Sequence, residues 1–127
     1  MAKLIYPELS YTIMGVLFSV HSDLGPGYLE KHYQREIGKR FMNKQLNFKE
    51  QVRINIDKGE YYGCYYADFI IEDRILLEIK SAPRLSKEHY LQVIRYLRET
   101  GIELGLLATF ARRELLYKRI LKGFNHS

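Results

Sequence analysis

At 127 residues the chain is long enough for one domain, residues 1–127, and too short for two, and its hydrophobic fraction of 46% argues against disorder. The net charge of +5 favours polyanionic partners, but only weakly. No apolar run approaches the roughly 20 residues that a membrane-spanning helix needs. The single cysteine, Cys64, excludes an internal disulfide, and together with the lack of a signal peptide it predicts a cytoplasmic protein.

Two helices are predicted at the start of the chain. The first runs from Pro7 to Leu24, because apolar residues recur there at helical spacing, and Gly25-Pro26-Gly27 breaks it. The second runs from about Tyr28 to Gln45 and carries an apolar stripe at steps of four residues. The stripe consists of Leu29, Tyr33, Ile37 and Phe41.

Three strands follow, because the apolar period changes to two. The first begins near Phe48, and a turn at Asp57-Lys58-Gly59 leads into a second strand from Tyr61 to Ile71. Another turn, Glu72-Asp73-Arg74, leads into a third strand from Ile75 to Lys80. The three should form an antiparallel meander. The apolar residues expected on one side of the first strand are Phe48, Val52, Ile54 and Ile56.

The rest of the chain alternates helix and strand. Ser86 is a candidate N-cap for a third helix, which Gly101 would end. Leu104 to Phe110 is almost entirely apolar, as in a strand covered on both sides, and a crossover of this length normally returns parallel. Leu115 to Leu121 fits either a strand or a helix. The order predicts an α/β fold in which helices flank a mixed central sheet.

Two carboxylates face each other across the predicted hairpin of the second and third strands. A three-residue turn centred on Asp73 places Asp68 directly opposite Glu78, and Tyr66 opposite Lys80. Like charges at this spacing, about 5 Å between Cβ atoms, are destabilising. Burial among the apolar residues on either side makes them costlier. Lys80 lies two residues beyond Glu78 and therefore on the same face of its strand.

Three arrangements would relieve this repulsion. One carboxyl could stay protonated, Lys80 could neutralise the pair, or a divalent cation could bind between the two. The plain alternative to a reactive site is an ion-pair cluster of Asp68, Glu78 and Lys80 at the edge of the sheet. The Ile79 carbonyl would be available to such a cation as a further oxygen ligand. A bound cation would polarise a phosphodiester and lower the pKa of a water, while Lys80 would orient that water or stabilise developing charge.

These residues resemble a known motif. Asp68, followed ten residues later by Glu78-Ile79-Lys80, is similar to the core of the PD-(D/E)XK nuclease superfamily. The segment from Gly27 to Tyr33 is similar to the GxxExxY signature, which names one family within it. Gln92 and Tyr96 resemble the QxxxY motif of the branch that contains RecB-type and lambda-exonuclease-like nucleases.

Two residues depart from that pattern. Ala67 precedes Asp68 where the superfamily's name has proline, a common substitution. Tyr66 stands where the family often has an arginine, which could weaken a contact with substrate phosphate and leaves the metal site intact.

The resemblance implies a restriction-endonuclease-like αβββαβ core with an extra N-terminal helix, Mg²⁺ or Mn²⁺ as cofactor, and hydrolysis of DNA phosphodiester bonds. It implies that Glu30 supports the metal site from its helix and that Gln92 supports the site or contacts the substrate backbone. The implied metal-site residues are Asp68, Glu78, Ile79 and Glu30. The implied catalytic residues are Glu30, Asp68, Glu78, Lys80 and Gln92.

Three further residues are candidates for substrate contact or support. Tyr96 lies one turn beyond Gln92 on the same helix face, and packing under the sheet is its alternative role. Tyr33 is favoured as a packing residue over a catalytic one. His21 is a candidate because some related nucleases add a histidine ligand from an upstream helix, and a surface or helix-capping role is its alternative.

Three functions compete at this point. The first is a metal-dependent deoxyribonuclease. The second is a nucleic-acid-binding or regulatory module that keeps the nuclease fold with little or no activity and acts through a partner or a homo-oligomer. The third is a dimerisation protein that pairs through an edge strand at Tyr61 to Tyr66. Nucleic acid is the expected partner, because basic residues cluster in three places, although a solvated helix or strand face is the alternative for each cluster. The clusters are Lys31, Arg35, Lys39 and Arg40; Arg95 and Arg98; and Arg112, Arg113, Lys118, Arg119 and Lys122.

Overall fold

The computed structural model describes residues 6–58 and 61–123, so Gly59 of the first predicted turn lies outside the described part. Within these ranges the chain forms three helices and five strands. The helices are α1 (Pro7–Leu24), α2 (Glu30–Asn43) and α3 (Lys87–Thr100). The strands are β1 (Phe48–Lys58), β2 (Tyr61–Ile71), β3 (Ile75–Lys80), β4 (Leu104–Phe110) and β5 (Leu115–Leu121).

The helix ends follow the local backbone conformation. α1 has its predicted bounds. α2 is shorter than predicted at both ends, because Leu29 is an extended N-cap and Gln45 has a left-handed φ of 59°. α3 begins after the predicted cap Ser86, whose side chain accepts a hydrogen bond from the N–H of His89. It ends at Gly101, whose φ of 77° suits a residue without a side chain.

The five strands form one mixed sheet in the order β1-β2-β3-β4-β5. The predicted antiparallel meander of β1, β2 and β3 is confirmed, and so is the parallel return of β4 beside β3. The last element, which the sequence left open, is a strand antiparallel to β4. β5 therefore forms one edge of the sheet and β1 forms the other.

The tyrosine-rich segment of β2 does not lie at the outer edge of the sheet, contrary to the prediction, because β1 pairs with it along one side. β1 extends to Lys58, two residues into the predicted turn, and pairs with β2 as far as Tyr61. The side of β2 that faces β1 is therefore covered along the segment. The ladder with β3 covers only Phe69 to Ile71, so β3 does not cover the other side of the segment, and a dimer formed by strand addition there stays a prediction.

Helices cover both faces of the sheet. Leu17 of α1 and Ile37 of α2 are buried in the core on one face, and Leu97 of α3 is buried in the core on the other. Every residue of β4 is buried, as predicted for a strand covered on both sides. None of the helices in the described ranges is long and apolar enough to cross a membrane.

α3 approaches β4 closely at Gly105. A Cβ added there would lie 2.7 Å from Val93 Cγ1 and 3.4 Å from both terminal methyls of Leu97. Both side chains are fully buried, so they have little space to move. We expect Gly105→Ala to lower the free energy of unfolding by about 1–3 kcal/mol, the usual cost of overpacking a core. Urea unfolding monitored by circular dichroism measures this loss.

Gly15 is the matched control for Gly105. It lies within α1, and a Cβ added there would meet no atom within 4 Å. Gly15→Ala should leave stability unchanged or raise it by up to about 1 kcal/mol, because alanine is the better helix former. Equal losses in the two variants would contradict the close packing of α3 on β4.

The alternation of β1 breaks at Gln51. Phe48 packs against the core beneath α1 and α2, whereas Val52 packs against the core beneath α3. Residues at even spacing in a regular strand share one face, so the predicted common side for Phe48 and Val52 was wrong. The cause is the left-handed φ of 48° at Gln51, which turns the following residues to the other face. Asp68 of β2 lies opposite this break, and the described ladder of β1 with β2 skips the pair of Gln51 with Asp68.

Candidate active site

The ladder between β2 and β3 ends just before the two carboxylates. Its last pair is Phe69 with Leu77, so Asp68 and Glu78 are not the backbone pair that the predicted register gave. The reason is that their side chains take the main-chain donors. The Asp68 N–H donates to Glu78 Oε1 at 2.8 Å, and the Ile79 N–H donates to Asp68 Oδ2 at 2.8 Å. Each carboxylate is thereby attached to the opposite strand.

Burial makes this pair electrostatically costly. Glu78 is only 3% exposed. Burial, followed by the charge of Asp68, raises the pKa of Glu78 from 4.5 to about 8. Burial also raises the pKa of Asp68, although the hydrogen bond from the Ile79 N–H opposes that shift. With both carboxylates ionised, the site would therefore hold more negative charge than the side chains around it compensate.

Lys80 projects beside the pair and is held from α3. Its Nζ donates to Gln92 Oε1 at 2.9 Å and lies 3.6 Å from Glu78 Oε2. Gln92 thus fixes the ammonium group close to Glu78. The predicted pairing of Lys80 with Tyr66 is absent from the described ladder, because β2 and β3 have already separated. Lys80 pairs instead with Thr109 of β4, which supports it from the other side.

Two glutamines that the sequence analysis missed complete the surroundings of Asp68. Gln51 Nε2 donates to Asp68 Oδ1 at 3.1 Å and to Gln34 Oε1 at 2.8 Å, so it links β1, β2 and α2. Gln34 had a sequence signal, because it lies four residues after Glu30 and therefore on the same helix face. Gln51 had none, because its position depends on a backbone conformation that glutamine rarely adopts.

Glu30 is the first residue of α2 and is exposed. Its charge is the smallest of the causes that raise the pKa of both Asp68 and Glu78. Across residues 6–58 and 61–123, no three His, Cys, Asp or Glu side chains gather into a cluster that could hold a metal ion. The structure therefore brings Asp68 and Glu78 together, with Glu30 at the rim.

The three weaker candidates occupy different surroundings. His21 Nε2 lies 2.7 Å from the carbonyl oxygen of Ala111, a hydrogen bond that ties the last turn of α1 to the end of β4. Tyr33 is fully buried. Tyr96 is 2% exposed, and burial, followed by the charge of Glu78, raises its pKa to about 12.

A basic groove borders the site along α2. Lys31, Arg35 and Lys39, which we call the α2 stripe, line a depression of about 500 Å³ together with Gln34, Gln51 and one acidic residue, Glu50. Residues spaced by four share a helix face and rise by about 6 Å per step. No described ion pair involves the stripe, whereas the neighbouring Arg40 is paired with Asp23 and Glu36. The stripe is therefore a positively charged surface beside Gln51, whose side chain donates a hydrogen bond to Asp68.

The donor chemistry of the pair fits a hard divalent cation. Mg²⁺ is usually bound by one or two carboxylates, with waters and substrate phosphates completing its coordination. Asp68 and Glu78 supply two carboxylates on adjacent strands, each with lone pairs beyond those used in the described hydrogen bonds. A cation between them would also offset the repulsion and burial that raise their pKa values.

The sequence matches the family model of the PD-(D/E)XK nuclease superfamily over residues 7–120, and the chain therefore belongs to that superfamily. The resemblance drawn from the motifs is confirmed at this level, and so is the predicted restriction-endonuclease-like fold. The GxxExxY assignment and the RecB-type or lambda-exonuclease-like branch remain predictions.

Solved structures resemble the fold. The crystal structure of SSO0001 matches with a TM-score of 0.57 and 20% identity, over 75% of this chain and 50% of that one. The present chain thus spans half the length of that protein. An alkaline exonuclease (LHK-Exo) from Laribacter hongkongensis matches with a TM-score of 0.48 and 14% identity, over 96% of this chain and 72% of that one. No curated protein matches the sequence.

Proposed function

We propose that the chain is a metal-dependent nuclease that hydrolyses the phosphodiester bonds of DNA. The observation that carries the proposal is the convergence of Asp68, Glu78 and Lys80 where β2 and β3 separate. A buried and a half-buried carboxylate, both with raised pKa values, are a poor arrangement for stability alone. In a chain of a nuclease superfamily, a cation site is the function that accounts for them.

The proposed mechanism divides the work among the chain's own groups. Asp68 and Glu78 would hold Mg²⁺ or Mn²⁺, with the Ile79 carbonyl and Glu30 as further oxygen donors. The bound metal would polarise the phosphodiester and lower the pKa of a water. Lys80, held by Gln92, would orient that water or stabilise the negative charge that develops on the phosphate oxygens.

Gln51 is a positioning residue in this scheme. Its amide occupies one lone pair of Asp68 Oδ1 and fixes the rotation of that carboxylate. Glu78 is similarly fixed by the Asp68 N–H. Pre-oriented ligands lose less entropy when a cation binds, so this network favours a defined site over a loose acidic patch.

The α2 stripe is the proposed path for the nucleic-acid backbone. Removing its three charges with Lys31→Ala, Arg35→Ala and Lys39→Ala should reduce the slope of log affinity against log salt by about two to three, because each lost phosphate contact removes about 0.7–0.9 from it. Fluorescence anisotropy of a labelled DNA oligonucleotide, measured in EDTA at several salt concentrations, gives this slope.

The C-terminal basic cluster provides a charge-matched control. Arg113→Ala, Lys118→Ala and Lys122→Ala also remove three exposed positive charges, from the end of the chain that forms edge strand β5. We expect this triple variant to keep the wild-type slope. A slope reduced only in the C-terminal variant would place the nucleic acid on the other side of the molecule.

Cleavage assays test the proposed function. Plasmid DNA, linear DNA and RNA are incubated with the protein in EDTA, Mg²⁺ or Mn²⁺, beside Lys80→Ala and Asp68→Ala. We expect DNA cleavage only with a divalent metal and only in the wild type. Cleavage that persists in both variants, or that is stronger on RNA, contradicts the proposal. Oligonucleotide binding without cleavage under any of these conditions would favour the inactive binding module instead.

A further inference from the structure

A second depression opens on the far side of Lys80, between α3 and the ends of β1 and β2. Its α3 wall contains His89, Gln92 and Arg95, and its other wall contains Tyr65. The volume is about 200 Å³, below the range of about 300–1,000 Å³ typical of pockets for drug-sized ligands. We call it the α3 cleft. It adjoins the candidate active site, because Lys80 lines the cleft and also contacts Glu78.

The orientation of His89 in this cleft follows from the cap of α3. Its Nδ1 accepts a hydrogen bond from the Ser86 N–H at 3.1 Å, while its own N–H donates to Ser86 Oγ at 3.1 Å. A neutral imidazole that accepts at Nδ1 carries its proton on Nε2. The ring nitrogen on the far side from Ser86 is therefore a hydrogen-bond donor, and His89 lines the cleft beside Lys80.

The electrostatic surroundings keep the His89 ring neutral. Burial lowers the pKa of His89, and the charge of Lys80 lowers it further, against a smaller effect of Glu30. Protonation would also place a second donor opposite the Ser86 N–H and break the cap. The ring therefore offers one fixed N–H to the cleft and contributes no charge of its own.

The cleft has the composition of an anion site. Arg95 supplies one positive charge, Lys80 supplies a second that it shares with Glu78, Glu88 supplies one negative charge, and His89 adds a neutral donor. No described hydrogen bond or ion pair involves Arg95 within residues 6–58 and 61–123. Because Lys80 reaches both the carboxylate pair and this cleft, a phosphodiester chain reacting at the pair would bring its next phosphate toward the cleft.

We propose that the α3 cleft is a phosphate-binding subsite, in which the His89 Nε2–H and Arg95 hold the backbone phosphate adjacent to the one that reacts. The ligand is the nucleic-acid strand of the proposed function, so the subsite rests on that function for its substrate. His89 is then both a cap of α3 and a positioning residue for the strand. Glu88, at the rim, would oppose an anion bound farther from Lys80.

The double role of His89 allows a sharp substitution test. Glutamate and glutamine are the usual residues at this position of a capping box, because both accept the Ncap N–H. His89→Glu therefore keeps the cap while replacing the donor by an anion. His89→Gln keeps the cap and retains an outward N–H donor. A purely structural histidine would tolerate both replacements equally.

Binding of a labelled oligonucleotide in EDTA measures the effect without cleavage. We expect His89→Glu to weaken binding about tenfold or more, with an unchanged melting temperature, and His89→Gln to stay within about threefold of wild type. Tyr11→Glu, an exposed position on α1, controls for the added negative charge. In the cleavage assay His89→Glu should raise KM more than it lowers kcat.

Arg95 gives an independent test on the same helix. Arg95→Ala should reduce the salt slope by about one and weaken binding, whereas Arg98→Ala, an exposed position outside the cleft, should do neither. His89→Glu that remains folded and binds like Tyr11→Glu overturns the subsite. If His89→Glu does not fold, equal affinities of Arg95→Ala and Arg98→Ala overturn it.

The subsite and the proposed function can fail separately. Cleavage by the wild type, together with normal binding by folded His89→Glu, would refute the subsite and leave the nuclease in place. Weakened binding by His89→Glu and Arg95→Ala, with a wild type that does not cleave, would support the subsite and refute the nuclease.

Discussion

Replacing Glu78 by glutamine is expected to stabilise the metal-free protein at alkaline pH and to abolish cleavage. The pKa of Glu78 rises from 4.5 to about 8 on folding. Between these values the folded protein keeps a proton that the unfolded chain has released. The contribution of this proton to the free energy of unfolding is therefore fully present below pH 4.5. It is lost as the pH rises through 8, by on the order of a few kcal/mol.

Glutamine has no proton to lose in this range, so Glu78→Gln should melt at a more constant temperature between pH 5 and 9. It should melt above the wild type at pH 8.5 in EDTA. Asp68, whose pKa is also raised, would leave a smaller fall in both proteins. The surface substitution Glu114→Gln is the control and should melt in parallel with the wild type. Parallel melting of Glu78→Gln and the wild type would contradict the buried charge.

The same variant should lose cleavage by about a hundredfold to a thousandfold or more, the scale of losing one preorganised electrostatic contact in an active site. A stabilised but inactive protein is the signature of a residue kept for function at the expense of stability. Rates measured with Mg²⁺ at pH 7.5 provide the comparison. Wild-type rates in Glu78→Gln would exclude Glu78 from the reaction.

Tyr33→Ala is expected to have the largest effect on folding. The ring is fully buried and stacks on Phe110 with centroids 4.0 Å apart. Its hydroxyl donates to the Gly25 carbonyl at 2.6 Å and accepts the Tyr28 N–H. Removing the ring should cost about 3–5 kcal/mol, a large share of the 5–15 kcal/mol that stabilises a typical protein. Urea unfolding measures the loss.

Tyr33→Phe separates packing from chemistry. It keeps the ring and removes only the hydroxyl, so it should cost about 1–3 kcal/mol through the unpaired Gly25 carbonyl and Tyr28 N–H. We expect the folded variant to cleave at the wild-type rate. A large drop in kcat with little loss of stability would instead make Tyr33 a participant in the reaction.

The hairpin that positions the site was predictable because several local signals agree. Glu72 and Asp73 adopt left-handed φ values of 55° and 54°, which suit a short turn, and the apolar pairs beside the turn allow one register. That register holds from Ile71 to Phe69. The ladder stops at Asp68, because the side chains of Asp68 and Glu78 accept hydrogen bonds from main-chain N–H groups there. A rule that pairs backbone residues does not predict such side-chain contacts.

Gln51 shows what sequence patterns could not supply. Glutamine has no preference for a positive φ, so nothing in the sequence of β1 predicted that the side chains after Gln51 change to the other face of the sheet. The conformation is held by contacts that form only after α2 and β2 are in place, with Gln34 and Asp68. The contact of Lys80 with Gln92 likewise depends on how α3 packs, although motif resemblance selected both residues.

The most direct test of the account is calorimetric titration of the metal-free protein with Mn²⁺ at pH 7, in two buffers of different ionisation enthalpy. At this pH Glu78 is protonated, and a cation bound by the pair must displace that proton. We expect saturable binding with release of close to one proton in the wild type, and none of either in Asp68→Asn or Glu78→Gln. Absence of binding in the wild type, or equal binding and proton release in these variants, would contradict a cation site at Asp68 and Glu78.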